Sequence, residues 1–315
     1  MKKGVFLTIT AYFIWGILLF YWKLLANVPA YEILCHRMVW SLVFTATILT
    51  FRRRWNWLNQ LRENPRILIS FIFSAAVLSV NWFVFIWAVN SGFILDSSLG
   101  YFINPLISVL LGVIVLKEKL RTGQKIAVFI AAIGVAYLTF KYGKFPWIAM
   151  TLALTFGTYG LLRKTAGLNS VEGLNVESAF MYIPAFGFIL YFGFTGQSAF
   201  VYAGWTLSLL LILSGVITAI PLILFAAGAR RIPLSMVGFI HYITPTLHFF
   251  IGLFAYHEPL SQSRLVGFII IWIALIIYSV EGVHKNLSRS SDLTHVTRLS
   301  YLISSLSAFS IPSAL

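Results

Sequence analysis

Residues Tyr101 to Leu120 read YFINPLISVLLGVIVLKEKL, and Tyr242 to Leu260 read YITPTLHFFIGLFAYHEPL. A shift of 140 residues lays Ile103 on Ile243, Pro105 on Pro245, Gly112 on Gly252, Glu118 on Glu258 and Leu120 on Leu260. The register holds upstream, where Phe85 falls on Phe225 and Ile94 on Leu234. Each copy reads as an apolar helix with a proline near its start and a glutamate at its exit. A register held this long points to duplication. In an apolar chain, a duplicated helix carrying a proline is the pattern of a transporter whose binding site lies where the repeats meet.

Composition places the chain in a membrane. It is 59% hydrophobic and 10% charged, against roughly a quarter charged in soluble domains. Mean hydropathy is +0.89, and apolar runs of spanning length recur along it. Ten spans are expected, near 4–22, 31–50, 67–88, 97–116, 124–140, 145–162, 175–194, 206–228, 234–256 and 264–281. The loops leave no room for a catalytic domain. The single cysteine, Cys35, excludes an internal disulfide.

The net charge of +14 is explained by where the basic residues fall. With the N-terminus in the cytoplasm, 18 of the 23 Lys and Arg lie on that side, five of them between residues 51 and 66. That is the positive-inside bias, and it leaves no basic patch for nucleic acid. Both termini are then cytoplasmic, in a multi-pass cell (inner) membrane protein. Because five spans are an odd number, the second repeat enters the membrane from the opposite side. The expected fold is an all-α membrane protein of ten transmembrane helices in two inverted five-helix repeats, residues 1–142 and 143–284. The segment 285–315, with nine serines from 287 onward, reads as a disordered cytoplasmic tail.

Several stretches carry a family resemblance. They include Asn81-Trp82, the run from Phe85 to Asn90, the run from Ser98 to Pro105, and FGTYGLLRK at 156–164. Further matches are Ala219-Ile220-Pro221-Leu222, Pro233-Leu234-Ser235 and Gly238-Phe239-Ile240. Over about residues 4–283 the chain resembles the RarD branch of the EamA transporters, in the drug/metabolite transporter superfamily. The resemblance implies ten helices in two inverted repeats and export of a small metabolite or drug by alternating access. His241 and Thr244 depart from the residues expected at their places, which leaves the substrate open.

Charges inside spans are the next clue, since one at the bilayer centre costs on the order of 2.5–3.5 kcal/mol on insertion scales. The second span opens Tyr31-Glu32-Ile33-Leu34-Cys35-His36-Arg37. Glu32 and His36, four apart, share a helical face, and Arg37 lies about 7.5 Å deeper than Glu32. One reading is a cavity cluster in which Arg37 takes an anionic group and Glu32 or His36 a proton. The other is an internal ion pair that only orients the helix.

The paired helices give a second constellation. Tyr101 and Asn104 correspond to His241 and Thr244, with Tyr242 beside them. Pro105 and Pro245 each deny a donor to the carbonyl four residues back, on Tyr101 and His241, and are candidate gating positions. A packing kink is the alternative. Asn81 and Trp82 offer an amide and a flat ring, for a substrate or for a neighbouring helix. Glu118 and Glu258 read as caps or interface anchors. His241 and His248 share a face, but two histidines without a carboxylate make no metal site. No metal or cofactor is expected. No phosphate-binding glycine loop and no nucleophile–base pair appears, so an enzyme is not expected. Partners are a small-molecule substrate and the lipid bilayer, with proton coupling and a homodimer left open. An intramembrane enzyme and a channel or scaffold are the competing classes.

Overall fold

The computed structural model describes residues 1–281 except Gly92, Lys144, Ala203, 258–261 and Arg264. Glu258 and the segment 285–315 therefore lie outside the described residues. Helices α1 (Lys2–Leu24), α2 (Ala30–Phe51), α3 (Trp57–Glu63), α4 (Pro65–Asn90), α5 (Ile94–Ile114), α6 (Thr122–Tyr142) and α7 (Trp147–Thr165) are followed by α8 (Ser170–Phe194), α9 (Ala199–Tyr202) and α10 (Trp205–Ala229). Next come α11 (Leu234–His241), α12 (Ile243–Phe250) and a π turn, Ile251–Ala255. The last is α13 (Leu265–Glu281). Among the described residues there is no strand.

Eight segments are long and apolar enough to cross a membrane: α1, α2, α4, α5, α6, α8, α10 and the run Leu234–Ala255. The other two expected spans form helices that do not meet both criteria alone. Helix α7 is rich in Thr and Gly and ends in Arg163 and Lys164, while α13 has 17 described residues. The short α3 and α9 interrupt segments read above as loops.

Local chemistry explains the helix starts. Asn64 Oδ1 accepts from Arg66 N at 3.2 Å, with Pro65 as the first residue of α4, a position where proline's missing N–H costs nothing. At α8, Glu172 accepts from the Asn169 N–H at 3.0 Å, closing a capping box. Gly143 ends α6 at φ 75°, a left-handed turn that favours glycine.

The starts recur with the sequence register. Ala30, Pro65 and Ile94 open α2, α4 and α5, and Ser170, Trp205 and Leu234, each 140 residues on, open α8, α10 and α11. Packing follows the same pairing. Helix α5 lies on α7 as α11 and α12 lie on α1, and α4 lies on α7 as α10 lies on α1. Helices α2 with α8, and α5 with α11, join a helix to its own counterpart. Gly238 allows the last crossing, since a Cβ there would meet the Pro105 carbonyl oxygen at 2.5 Å. Outward faces carry Phe6, Phe13, Phe129, Phe140, Ile183 and Phe194, all exposed. Apolar surface that extensive is lipid-facing, because water-soluble monomers rarely expose it.

Candidate functional site

A cavity of about 400 Å³ opens among α1, α2, α4, α5, α7, α10, α11 and α12. That volume falls within the ordinary range for small-molecule sites, roughly 300–1,000 Å³. Its wall comes from the second half of α1, the first two turns of α2, the second half of α4 and the first half of α5. These parts lie toward the 25–29 and 91–93 connections, away from the arginines of 52–66. The cavity thus occupies one half of the bundle.

Arg37 is the charge on this wall. Its Nε donates to Thr218 Oγ1 at 2.9 Å, and its guanidinium carbon lies 4.9 Å from the Trp22 ring centroid and 4.8 Å from that of Trp82. Cation–π contacts of this kind contribute about 0.5–2 kcal/mol. Among the described residues no carboxylate pairs with Arg37, since the ion pairs present are His36 with Glu32 and Arg163 with Glu177.

Seven residues singled out from the sequence meet here: Arg37, Asn81, Trp82, Tyr101, Asn104, His241 and Thr244. Asn81 Nδ2 donates to the Leu152 carbonyl at 2.9 Å and to Thr155 Oγ1 at 2.8 Å. Asn104 Nδ2 donates to the Ala153 carbonyl at 3.0 Å, and Thr244 Oγ1 to the Tyr12 carbonyl at 2.8 Å. These polar groups tie the walls together as well as lining them.

Glu32, His36 and Tyr242 do not line the cavity. The Glu32 carboxylate accepts from Ser198 Oγ at 2.9 Å, Ala199 N at 3.1 Å and Phe200 N at 3.2 Å. It caps α9 in place of its own helix, whose N-cap residue Pro29 has no N–H to offer, and no ion pair joins it to Arg37 among the described residues. His36 stacks on Phe200 at 4.7 Å and accepts from Trp40 Nε1 at 3.1 Å. Tyr242 is buried and donates to the Phe102 carbonyl at 3.3 Å.

The two prolines part company. Helix α5 runs through Pro105 without interruption, whereas its counterpart breaks at Tyr242, between α11 and α12, three residues before Pro245. Glu118 is a cap, but of a helix in the other half: it accepts from Leu234 N at 2.6 Å, Ser235 N at 2.9 Å and Ser235 Oγ at 2.7 Å.

The end away from the cavity is held shut by polar ties. Arg163 Nη1 lies 3.4 Å from Glu177 Oε1, with both side chains fully buried. Glu177 also accepts from Ser74 Oγ at 2.5 Å and Tyr159 OH at 3.2 Å, while Arg163 Nη2 donates to the Ser170 carbonyl at 2.9 Å. Lys164 Nζ donates to the Ala229 and Ile232 carbonyls at 3.1 and 2.5 Å, and Arg230 to the Leu168 carbonyl. The sequence analysis did not single out this cluster, because Arg163 falls just past the expected span 145–162. The available signal was Glu177, a charge within an apolar span and 140 residues after Arg37.

The comparisons with known proteins meet this geometry. The EamA-like transporter family model matches residues 2–140. The transporter YojE of Bacillus subtilis (strain 168) is 49% identical over 92% of this chain and 98% of its own length. The chain belongs to the EamA transporter family. Within it the likeness is to RarD proteins: that of Streptomyces exfoliatus is 42% identical, over 88% of each chain. The Escherichia coli (strain K12) RarD is 38% identical over 90% of this chain and 96% of its own. A protein of known crystal structure shares the fold at a TM-score of 0.65 and 15% identity, covering 89% of this chain and 97% of the other. An EamA transporter is a multi-pass membrane protein, and the apolar helices described above are its spans.

Proposed function

We propose that the chain is a secondary transporter that exports a small amphipathic compound, anionic or zwitterionic, by alternating access. In this reading it has ten transmembrane helices in two inverted repeats, with both termini cytoplasmic. The one-sided cavity carries the proposal. A carrier that alternates must expose its site at one face while the other is closed, and here the cavity fills one half while Arg163, Glu177, Lys164 and Glu118 tie the other. The 140-residue recurrence of helix starts and packing supports the inverted repeat. Arg37 gives a carboxylate a planar, two-pronged partner, with Asn81, Trp82, Tyr101, Asn104, His241 and Thr244 around the substrate. Pro105 and Pro245 are gating positions, and the break at Tyr242 makes Pro245 the more mobile hinge.

Labelling in intact cells tests orientation and the exposed site together, on a Cys35→Ala background. Gly143→Cys and Ile33→Cys react with an impermeant thiol reagent added outside, while Arg53→Cys and Lys125→Cys are protected until the cells are opened. The reverse pattern removes both the topology and the outward-facing assignment.

A further inference from the structure

With Glu32 engaged at α9 and His36 packed under Phe200, neither proton candidate drawn from the sequence faces the cavity. The titratable side chains that do are Tyr12 from α1, Arg37 from α2, Tyr101 from α5, His241 from α11 and His248 from α12. The cavity residues of α4, α7 and α10 add no ionisable group, and no carboxylate is present among the described lining residues. The two imidazoles stand on either side of the Tyr242 break. His241 stacks on Tyr12 at 4.5 Å and 17°, and the Tyr101 ring meets His241 at 6.2 Å and His248 at 5.7 Å, each edge-on. His241 Nδ1 and His248 Nε2 are buried with no hydrogen-bond partner. Buried polar atoms are nearly always satisfied, so two unpartnered imidazole nitrogens beside one cavity need an explanation.

We propose that His241 and His248 form the proton site of the transport cavity, and that a proton there and an anion at Arg37 bind cooperatively. This rests on the transporter reading above. An imidazolium sharing a cavity with a guanidinium that has no carboxylate partner among the described residues is disfavoured by like-charge repulsion. An anion on Arg37 cancels that repulsion, so the histidine pair takes a proton more readily when the anion is present. Linkage is reciprocal, and protonation tightens anion binding by the same factor. Proton and anion therefore travel in the same direction, so export runs down the anion's own outward gradient and carries a proton out with it. Exchange of one for the other would need the opposite sign, as a cavity carboxylate competing with the substrate would give. The proton site also sits on the broken helix, where occupancy can bias its two segments.

The proton itself is the probe. Full-length protein labelled with ¹⁵N-histidine, in lipid nanodiscs, is titrated from pH 8 to pH 4 by NMR, with resonances assigned from His241→Gln and His248→Gln. The expected result is a titration belonging to these two residues whose midpoint moves up in Arg37→Gln, the direction that removal of a like charge from the shared cavity gives. Arg37→Lys, which keeps the charge, leaves the midpoint near its wild-type position. The proposal is overturned if neither histidine titrates in wild type or Arg37→Gln, if the midpoint ignores the Arg37 charge, or if His36 carries the titration. Any of these leaves the labelling pattern above intact, so the transporter reading is judged separately.

Discussion

Arg37 and Arg163 are both arginines inside the helix bundle, and they are held in opposite ways. Arg163 is sealed from solvent and faces Glu177, which is further bonded by Ser74 and Tyr159. Arg37 is half-buried and rests on two indole rings and one hydroxyl, with no carboxylate partner among the described residues. The sequence register sharpens the contrast, because the residue 140 positions after Arg37 is Glu177 itself. One half thus presents a cation to a cavity, and the other presents an anion to a buried partner. A charge satisfied by the protein holds helices together. A charge left for a ligand keeps its donors available.

Breaking each arginine's environment gives the largest expected difference. Glu177→Ala strands Arg163 in the interior and costs about 3–5 kcal/mol, read as a large fall in thermal unfolding temperature in detergent. Replacing both, as Arg163→Met with Glu177→Leu, recovers most of that loss. Arg37→Gln costs less, about 1–2 kcal/mol from its lost ring contacts. Equal destabilisation by Glu177→Ala and Arg37→Gln would show that Arg37 is a structural charge.

Transport inverts the ranking. Once a metabolite comparison of cells with and without the protein has identified a substrate, Arg37→Gln lowers its binding to purified protein at least tenfold. Arg37→Lys loses part of that, because a point charge replaces a two-pronged fork. Wild-type affinity in folded Arg37→Gln would remove Arg37 from the site.

The prolines extend the comparison to the paired helices. Pro245→Ala restores a backbone donor beside the break and reduces counterflow in proteoliposomes several-fold. Pro105→Ala also slows it, but less, because α5 is already continuous. Equal wild-type rates in both would make the prolines packing features.

The smallest effect is expected from Thr218→Val, which removes the one hydrogen bond that holds Arg37 Nε. The loss is about 0.5–1.5 kcal/mol, read as an affinity change of no more than about tenfold. A larger drop would mean that Thr218 touches the substrate directly.

Much of the architecture was legible before the structure. The expected spans began within about five residues of the helix starts at Ala30, Pro65, Ile94, Ser170, Trp205 and Leu234, because apolar periodicity is a local property. Seven candidate site residues also reached the cavity, since a polar residue in an apolar span must face protein or water. Glu32 and His36 misled because spacing of four guarantees a shared face and says nothing about what packs on it. The residues that occupy Glu32 come from 198–200, some 166 positions away along the chain.

The amino-acid sequence by itself determined the membrane setting, the 140-residue register and the family resemblance, all of which follow from composition and recurring residues. Only the tertiary structure decided which arginine meets a carboxylate among the described residues and which rests on two rings and a hydroxyl. It also decided that Pro105 leaves its helix whole while the helix before Pro245 breaks, and that the cavity fills one half of the bundle. These depend on contacts between helices far apart in the chain, such as Glu118 with Leu234 and Arg37 with Thr218. The period of a helix fixes which residues share a face, and packing alone fixes what that face meets.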